Sequence, residues 1–175
     1  MKKPILSFLL GLLLLVLSAC SQDPEFELYK GKALSIAVVG EPPKIKEEQI
    51  SFSKISFHEL ENKDLSGFDA IFIMEKNLRQ AAEDQYAEVY LNSTVPFFFI
   101  AAKSHVPFTV KEEVYNESWA WSPGNSYAVG VHKSQGDDSL NSWGFGLYND
   151  EKTEEHIKEM YSRIFKELGE LLKLH

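Results

Sequence analysis

The chain has 175 residues, of which 44% are hydrophobic and 25% are charged, and its formal net charge at pH 7 is −8. This length suits one ordinary domain, and the hydrophobic content excludes wholesale disorder. The acidic balance argues against nucleic acid as a partner, because binding to phosphates needs clustered lysines and arginines.

The N-terminal residues are typical of an export signal that ends in a lipidation site. Two lysines precede an almost wholly apolar run over residues 5–17, which is too short for a stable membrane span and suits a signal peptide. Residues 17–20 read Leu-Ser-Ala-Cys and resemble the bacterial lipobox. We therefore predict a signal peptide over residues 1–19 and acylation of the Cys20 sulfur, which would anchor the protein on the extracytoplasmic face of the cell membrane.

An ordinary secretory signal followed by a chance cysteine is the alternative. It is disfavoured because Cys20 is the only cysteine in the chain, and an unpaired thiol is a liability in an oxidising compartment unless it is capped. After the anchor we predict a short tether over residues 20–32 and a single α/β domain over residues 33–175. Phe26 and Tyr29 in the tether are expected to pack already onto the domain.

The first part of the domain is predicted to alternate strands with short links. Residues 33–39 form an apolar run of the kind found in strands buried on both faces. A helical turn is expected over 44–49, followed by a strand near 52–57 and a brief helical link over 58–63. Because the alternation of the second strand changes parity, we expect this strand at an edge or with a bulge.

The middle of the chain predicts a strand, a helix and a second strand. Residues 68–74 and 94–101 are apolar runs bounded by turn residues. Between them, Asn77 is expected to cap a helix, because apolar residues recur on one helical face after it. This order is typical of a right-handed βαβ unit with parallel strands.

The last third predicts strands over 127–132 and 142–148 and a long amphipathic helix capped by Thr153. Two glutamates stand in its first turn, where the helix dipole favours them. The predicted fold is therefore α/β: a small Rossmann-like or flavodoxin-like three-layer sandwich with a mostly parallel sheet and a long C-terminal helix.

Three segments carry a resemblance to a known group of proteins. They are residues 29–32 (Tyr-Lys-Gly-Lys), 36–43 (Ile-Ala-Val-Val-Gly-Glu-Pro-Pro) and 143–150 (Trp-Gly-Phe-Gly-Leu-Tyr-Asn-Asp). With these segments the mature chain resembles a group of small lipoproteins from Bacillus-type bacteria. The resemblance implies the lipid-anchored location and an α/β fold, and it supplies no catalytic residue.

Polar residues follow the predicted parallel strands at their carboxyl ends, where open α/β sheets bind ligands. They are Glu41, Glu75, Lys103, Ser104 and His105. If the strands are neighbours, these groups would bind a small polar ligand or a cation, or support acid–base chemistry through His105 and Glu75. The alternative is that they are polar only because loops face water.

Other site types lack their signatures, and we predict neither a metal nor a cofactor. The five histidines have no metal-ligand spacing, and the residues after the first strand lack the glycines of a phosphate-binding loop. No serine lies in a nucleophile-elbow motif.

Aromatic residues are concentrated in the second half of the chain. They are Tyr115, Trp119, Trp121, Tyr127, Trp143, Phe145 and Tyr148. Such residues form either a recognition surface for sugars, peptides or proteins, or a small core beneath a long loop, and the second interpretation is favoured. Taken together, the predictions describe a non-catalytic binding or accessory module of the cell envelope, with an envelope protein or a small polar ligand as its partner. The alternative is an envelope hydrolase.

Overall fold

The computed structural model describes residues 25–134 and 139–173, so the predicted signal peptide and Cys20 lie outside the described residues. Six strands form one sheet: β1 (Leu34–Val39), β2 (Ile50–Ile55), β3 (Ala70–Ile73), β4 (Phe97–Ile100), β5 (Ser126–Lys133) and β6 (Leu140–Gly146). The helices are α1 (Phe57–Asn62), α2 (Leu78–Ala81), α3 (Asp84–Asn92), α4 (Val106–Thr109) and α5 (Glu154–Leu171). Short 3-10 helices cover Glu75–Asn77, Glu117–Trp119 and Tyr148–Asp150.

The sheet has the strand order β2-β1-β3-β4-β5-β6 and is mixed. Strands β1 to β4 are parallel, whereas β5 runs antiparallel to β4, and β6 runs antiparallel to β5. The α/β class and the long C-terminal helix are confirmed, and the expectation of a mostly parallel sheet is wrong. Only six residues separate β5 from β6. A parallel connection needs a crossover of a dozen or more.

The buried side chains of the sheet belong to two cores, one on each face. The first core joins residues such as Ile36, Val38 and Phe72 to the apolar stripe of α5. The second joins residues such as Ala37 and Ile71 to side chains of α1, α2, α3 and α4. Alternate residues of β1 thus face opposite cores, which explains why this strand reads as a continuous apolar run.

Two helix starts follow from capping residues in the sequence. The Thr153 hydroxyl accepts a hydrogen bond from the backbone N–H of His156 at 3.1 Å, so α5 begins where predicted. Ser56 caps α1 in the same way and exchanges hydrogen bonds with Glu59, which forms a capping box.

Two helix predictions are wrong. Residues 44–49 form no helix, because the carboxylate of Glu47 turns inward, where it accepts hydrogen bonds from the Ser162 hydroxyl and the Lys46 backbone. The helix predicted after Asn77 is divided into α2 and α3. The Asn77 side chain does not cap it, and instead donates to the carbonyl of Val39 at 3.1 Å.

The flanks of the sheet agree with the sequence patterns. Strand β2 lies at the edge, as its alternation predicted, and pairs with β1 without a bulge. Phe26 packs against Tyr148 and His156 with ring centroids 5.3 and 5.7 Å apart, and Tyr29 packs on α5.

Among the described helices, none has the length and apolar character needed to cross a bilayer.

Candidate functional site

The parallel strands β1 to β4 end at one edge of the sheet, here called the carboxyl edge. Strand β1 lies between β2 and β3, so the chain leaves β1 toward one side and β3 toward the other. At this switch point Gly40 has a φ of +117°, a conformation that side chains disfavour. Asn77 fills the space beside Gly40 and bonds to Val39.

The first predicted site residue, Glu41, follows β1 and points to solvent. Its carboxylate pairs with the Lys54 ammonium at 2.7 Å, and 86% of its side chain is exposed. An exposed pair of this type contributes at most about 1 kcal/mol. Glu41 thus lies at the carboxyl edge with Lys54 as its only ion-pair partner among the described residues.

Lys103, Ser104 and His105 lie between β4 and α4, where local hydrogen bonds hold them. The Ser104 hydroxyl accepts from the backbone N–H of Val106 at 3.2 Å, and the His105 ring lies 3.0 Å from the Thr109 hydroxyl. Burial lowers the pKa of His105, which favours its neutral form. Within the described residues, no hydrogen bond or ion pair joins any two of the five predicted site residues.

Glu75 is the predicted residue around which other functional groups gather. It begins the 3-10 helix after β3, and both carboxylate oxygens lie 3.4 Å from the ammonium of Lys152. The same ammonium lies 5.3 Å from the centre of the Tyr127 ring, which is a cation–π distance. Lys152 therefore links the end of β3 to the start of β5.

Two buried tyrosines lie in the field of Glu75. Burial and, to a lesser extent, the Glu75 charge raise the pKa of Tyr127 to about 12. The pKa of Tyr161 on α5 is also raised, mainly by burial and then by Tyr127 and Glu75. Tyr161 stacks on Phe72 of β3 with ring centroids 5.9 Å apart. Both phenols therefore stay protonated at neutral pH and can donate hydrogen bonds.

Trp121 completes the group. Its ring meets Tyr127 edge-on at 5.6 Å, and its indole N–H is buried without a hydrogen-bond partner. The backbone of Ala101 positions both aromatic residues, because its N–H donates to Tyr127 and its carbonyl accepts from Trp121. Ala101 adopts a left-handed φ of +69° to do so, which costs a residue with a Cβ atom about 1–2 kcal/mol. Such strain is often found at functional sites.

The result is a cluster of five residues, here called the edge cluster: Glu75, Trp121, Tyr127, Lys152 and Tyr161. Within the described part of the chain, the Trp121 indole and the hydroxyls of Tyr127 and Tyr161 make no hydrogen bond. Buried polar groups are normally paired, so the buried and unpaired indole N–H of Trp121 is unusual. The cluster offers donors, an acceptor and the partly exposed ring of Trp121 to a ligand.

Sequence reasoning found only part of the edge cluster. Glu75 was predicted from its place after a strand, and Trp121 and Tyr127 belong to the predicted aromatic group. Tyr161 was missed because it lies within the apolar stripe of α5, where a tyrosine looks like a core residue. Lys152 was missed because it stands just before a helix cap, with no motif around it.

The remaining aromatic residues divide between packing and surface. Phe145 is buried in the first core, Trp143 packs against that core, and Tyr115 packs against the second core. Tyr148 is 37% exposed. The described residues contain no group of three His, Cys, Asp or Glu side chains placed to hold a metal ion.

Comparison with known proteins leaves the geometry as the basis for any functional conclusion. No protein-family model matches the chain, and neither the curated proteins nor the solved structures contain a significant match.

Proposed function

We propose that the protein is a bacterial lipoprotein, anchored through Cys20 on the extracytoplasmic face of the cell membrane, that binds a small polar ligand without catalysis. The lipobox-like residues 17–20 after a short apolar run support the anchor. The unpaired donors of the edge cluster support ligand binding, and this single observation carries the proposal.

The fold that we infer is a three-layer, flavodoxin-like arrangement with an added antiparallel pair. Its support is the strand order, because the four parallel strands β2-β1-β3-β4 follow the order of that doubly wound class as far as the added pair begins. The two separate cores, with α5 on one face and the other helices on the opposite face, agree with it. In that class ligands bind at the carboxyl edge beside the switch point, where Glu75 stands.

The chemistry of the edge cluster favours an uncharged ligand rich in hydroxyl groups. The indole and phenol groups need acceptors, and Glu75 needs donors. A hydroxyl group is both a donor and an acceptor of hydrogen bonds, so one ligand with several hydroxyl groups can pair with the indole, the phenols and Glu75. The Lys152 ammonium already balances the Glu75 charge, which leaves little net charge to attract an ion. The partly exposed ring of Trp121 offers a flat aromatic face on which a sugar can stack, so we propose a saccharide.

Tyr161→Phe tests the ligand site. The full-length chain in detergent is titrated with N-acetylglucosamine while tryptophan fluorescence reports on Trp121. We expect saturable binding, and Tyr161→Phe should weaken it about fivefold, the equivalent of one neutral hydrogen bond of about 1 kcal/mol. The free energy of unfolding should not fall, because this hydroxyl has no partner to lose among the described residues.

Tyr90→Phe is the matched control. Tyr90 is equally buried, but it belongs to the second core and its hydroxyl donates to the Ala81 carbonyl at 2.9 Å. This variant should lose about 1 kcal/mol of stability and keep its affinity. The binding proposal is wrong if the saccharide does not bind, or if Tyr161→Phe loses stability and keeps full affinity.

Cys20→Ala tests the anchor separately. Without the sulfur no acyl chain can be attached, so we expect the precursor to remain unprocessed or the domain to be released from membranes. Cell fractionation and the mass of the N-terminal peptide report the result. Normal cleavage together with full membrane retention of the variant would contradict lipidation.

We do not propose the alternative of an envelope hydrolase, because no observation favours it. Its acid–base pair was Glu75 with His105. Glu75 is engaged by Lys152, and His105 is engaged by Thr109.

A further inference from the structure

Residues 25–32 form a strap that runs along α5. Phe26 contacts His156 near the start of the helix, and Tyr29 packs on Phe165 farther along it. The Gln49 side chain also donates to the Tyr29 carbonyl at 2.8 Å. The strap and α5 are not in contact over their whole length. A groove of about 610 Å³ lies between them.

The charge of this groove is opposite to that of the chain. Five cationic side chains and three carboxylates line it, whereas the whole chain carries −8. Arg163 is held by Glu159, and Lys173 by Glu170. In the described part of the chain, the other three cations, Lys30, Lys32 and Lys166, have no carboxylate within ion-pair distance.

The groove also contains a donor without a partner. The Tyr29 hydroxyl is buried and makes no hydrogen bond of normal geometry among the described residues, although the backbone N–H of Lys32 acts on it and opposes the rise in its pKa that burial causes. It lies over Gly169, where an added Cβ would come within 2.9 Å of the hydroxyl oxygen, and both residues line the groove. A buried hydroxyl left unpaired beside free ammonium groups is costly unless a ligand accepts from it.

We propose that this groove is a second binding site, which takes a phosphate-bearing anion. Lysine ammonium groups act as point charges that bind phosphate, and the Tyr29 hydroxyl donates to a phosphate oxygen. The cations exceed the carboxylates by two, and a phosphate monoester carries about −1.5 to −2 at neutral pH. The phosphate comes from a soluble ester or from a phospholipid headgroup. The site does not depend on the edge cluster.

Lysine acetylation measured by mass spectrometry tests both sources with one readout. In the first arm, the full-length chain in nonionic detergent is acetylated with and without sn-glycerol 3-phosphate. In the second, it is acetylated in vesicles of phosphatidylcholine alone or mixed equally with phosphatidylglycerol. We expect slower acetylation of Lys30, Lys32 and Lys166, whereas exposed Lys76, which does not line the groove, keeps its rate.

The arm that protects the groove lysines identifies the source, and protection in both arms means that the phosphate group alone is recognised. The proposal is overturned if neither arm protects them, or if Lys76 is protected equally. Calorimetry with the ligand of the positive arm then compares variants. Tyr29→Phe and Lys166→Gln should each weaken binding roughly tenfold, and Lys76→Gln should not. Tyr29→Phe should also keep its stability, since the hydroxyl has no partner to lose among the described residues.

Discussion

Replacing Phe72 by alanine is expected to lower the free energy of unfolding by about 4 kcal/mol. Phe72 lies in β3 and is fully buried in the first core. Its ring contacts Phe98 at 5.5 Å, Tyr161 at 5.9 Å, and both Phe52 and Phe165 at 6.4 Å. Truncation removes apolar contact with side chains of β2, β4 and α5, and leaves a cavity that the packed neighbours cannot fill.

Urea unfolding followed by circular dichroism measures this loss. Since domains of this size are stabilised by only about 5–15 kcal/mol, Phe72→Ala can leave too little folded protein to study. Phe72→Leu keeps most of the volume and should cost about 1.5 kcal/mol or less. It should also weaken N-acetylglucosamine binding, because Tyr161 would lose the ring on which it stacks. A loss below about 2 kcal/mol for Phe72→Ala would show that the site relaxes freely.

Gly40→Ala is expected to cost about 3 kcal/mol, for two separate reasons. Gly40 has a φ of +117°, which residues with a Cβ atom rarely adopt. In addition, a Cβ atom there would lie 2.5 Å from the Asn77 amide nitrogen and 2.9 Å from the Met74 Cβ. The Asn77 side chain would have to move and give up its hydrogen bond to Val39. Urea unfolding again measures the change.

Two other glycines separate these causes. Gly124 has a φ of +82° and no atom within 4 Å of an added Cβ, so Gly124→Ala reports the backbone cost alone, about 1–2 kcal/mol. Gly67 has neither a positive φ nor an atom within 4 Å of an added Cβ, so Gly67→Ala should leave the free energy of unfolding nearly unchanged. If Gly40→Ala destabilises no more than Gly124→Ala, the close approach of Asn77 contributes nothing.

Much of the secondary structure could be predicted because local chemistry decides it. The apolar runs became β1, β3 and β4, and the Thr153 cap fixed the start of α5. The direction of β5 and β6 could not be predicted, because the pattern of apolar residues along a strand does not depend on the direction in which the strand runs. The inward turn of Glu47 depends on Ser162, which lies 115 residues later, and no local pattern reveals such a partner.

The candidate site was predictable only in outline. The strand-end rule places residues at the carboxyl edge, and it led to Glu75. The rule cannot show which of these residues contact one another. Glu41 pairs with Lys54 and His105 with Thr109, so neither joins Glu75. Lys152 comes to Glu75 from 77 residues away through the folding of β5, β6 and α5.

The contacts of Phe26 determine which way a lipid-anchored molecule faces. Phe26 docks beside Tyr148, which follows β6, and because β4 and β6 both run antiparallel to β5 this is the same end of the sheet as the edge cluster. Phe26 is the sixth residue after Cys20, and a fully extended chain spans at most about 3.6 Å per residue, so the backbone of Phe26 in a tethered chain stays within about 22 Å of the lipidated cysteine. With so short a tether, the proposed saccharide site would face the lipid bilayer. The sugars nearest to it would then be those attached to membrane lipids.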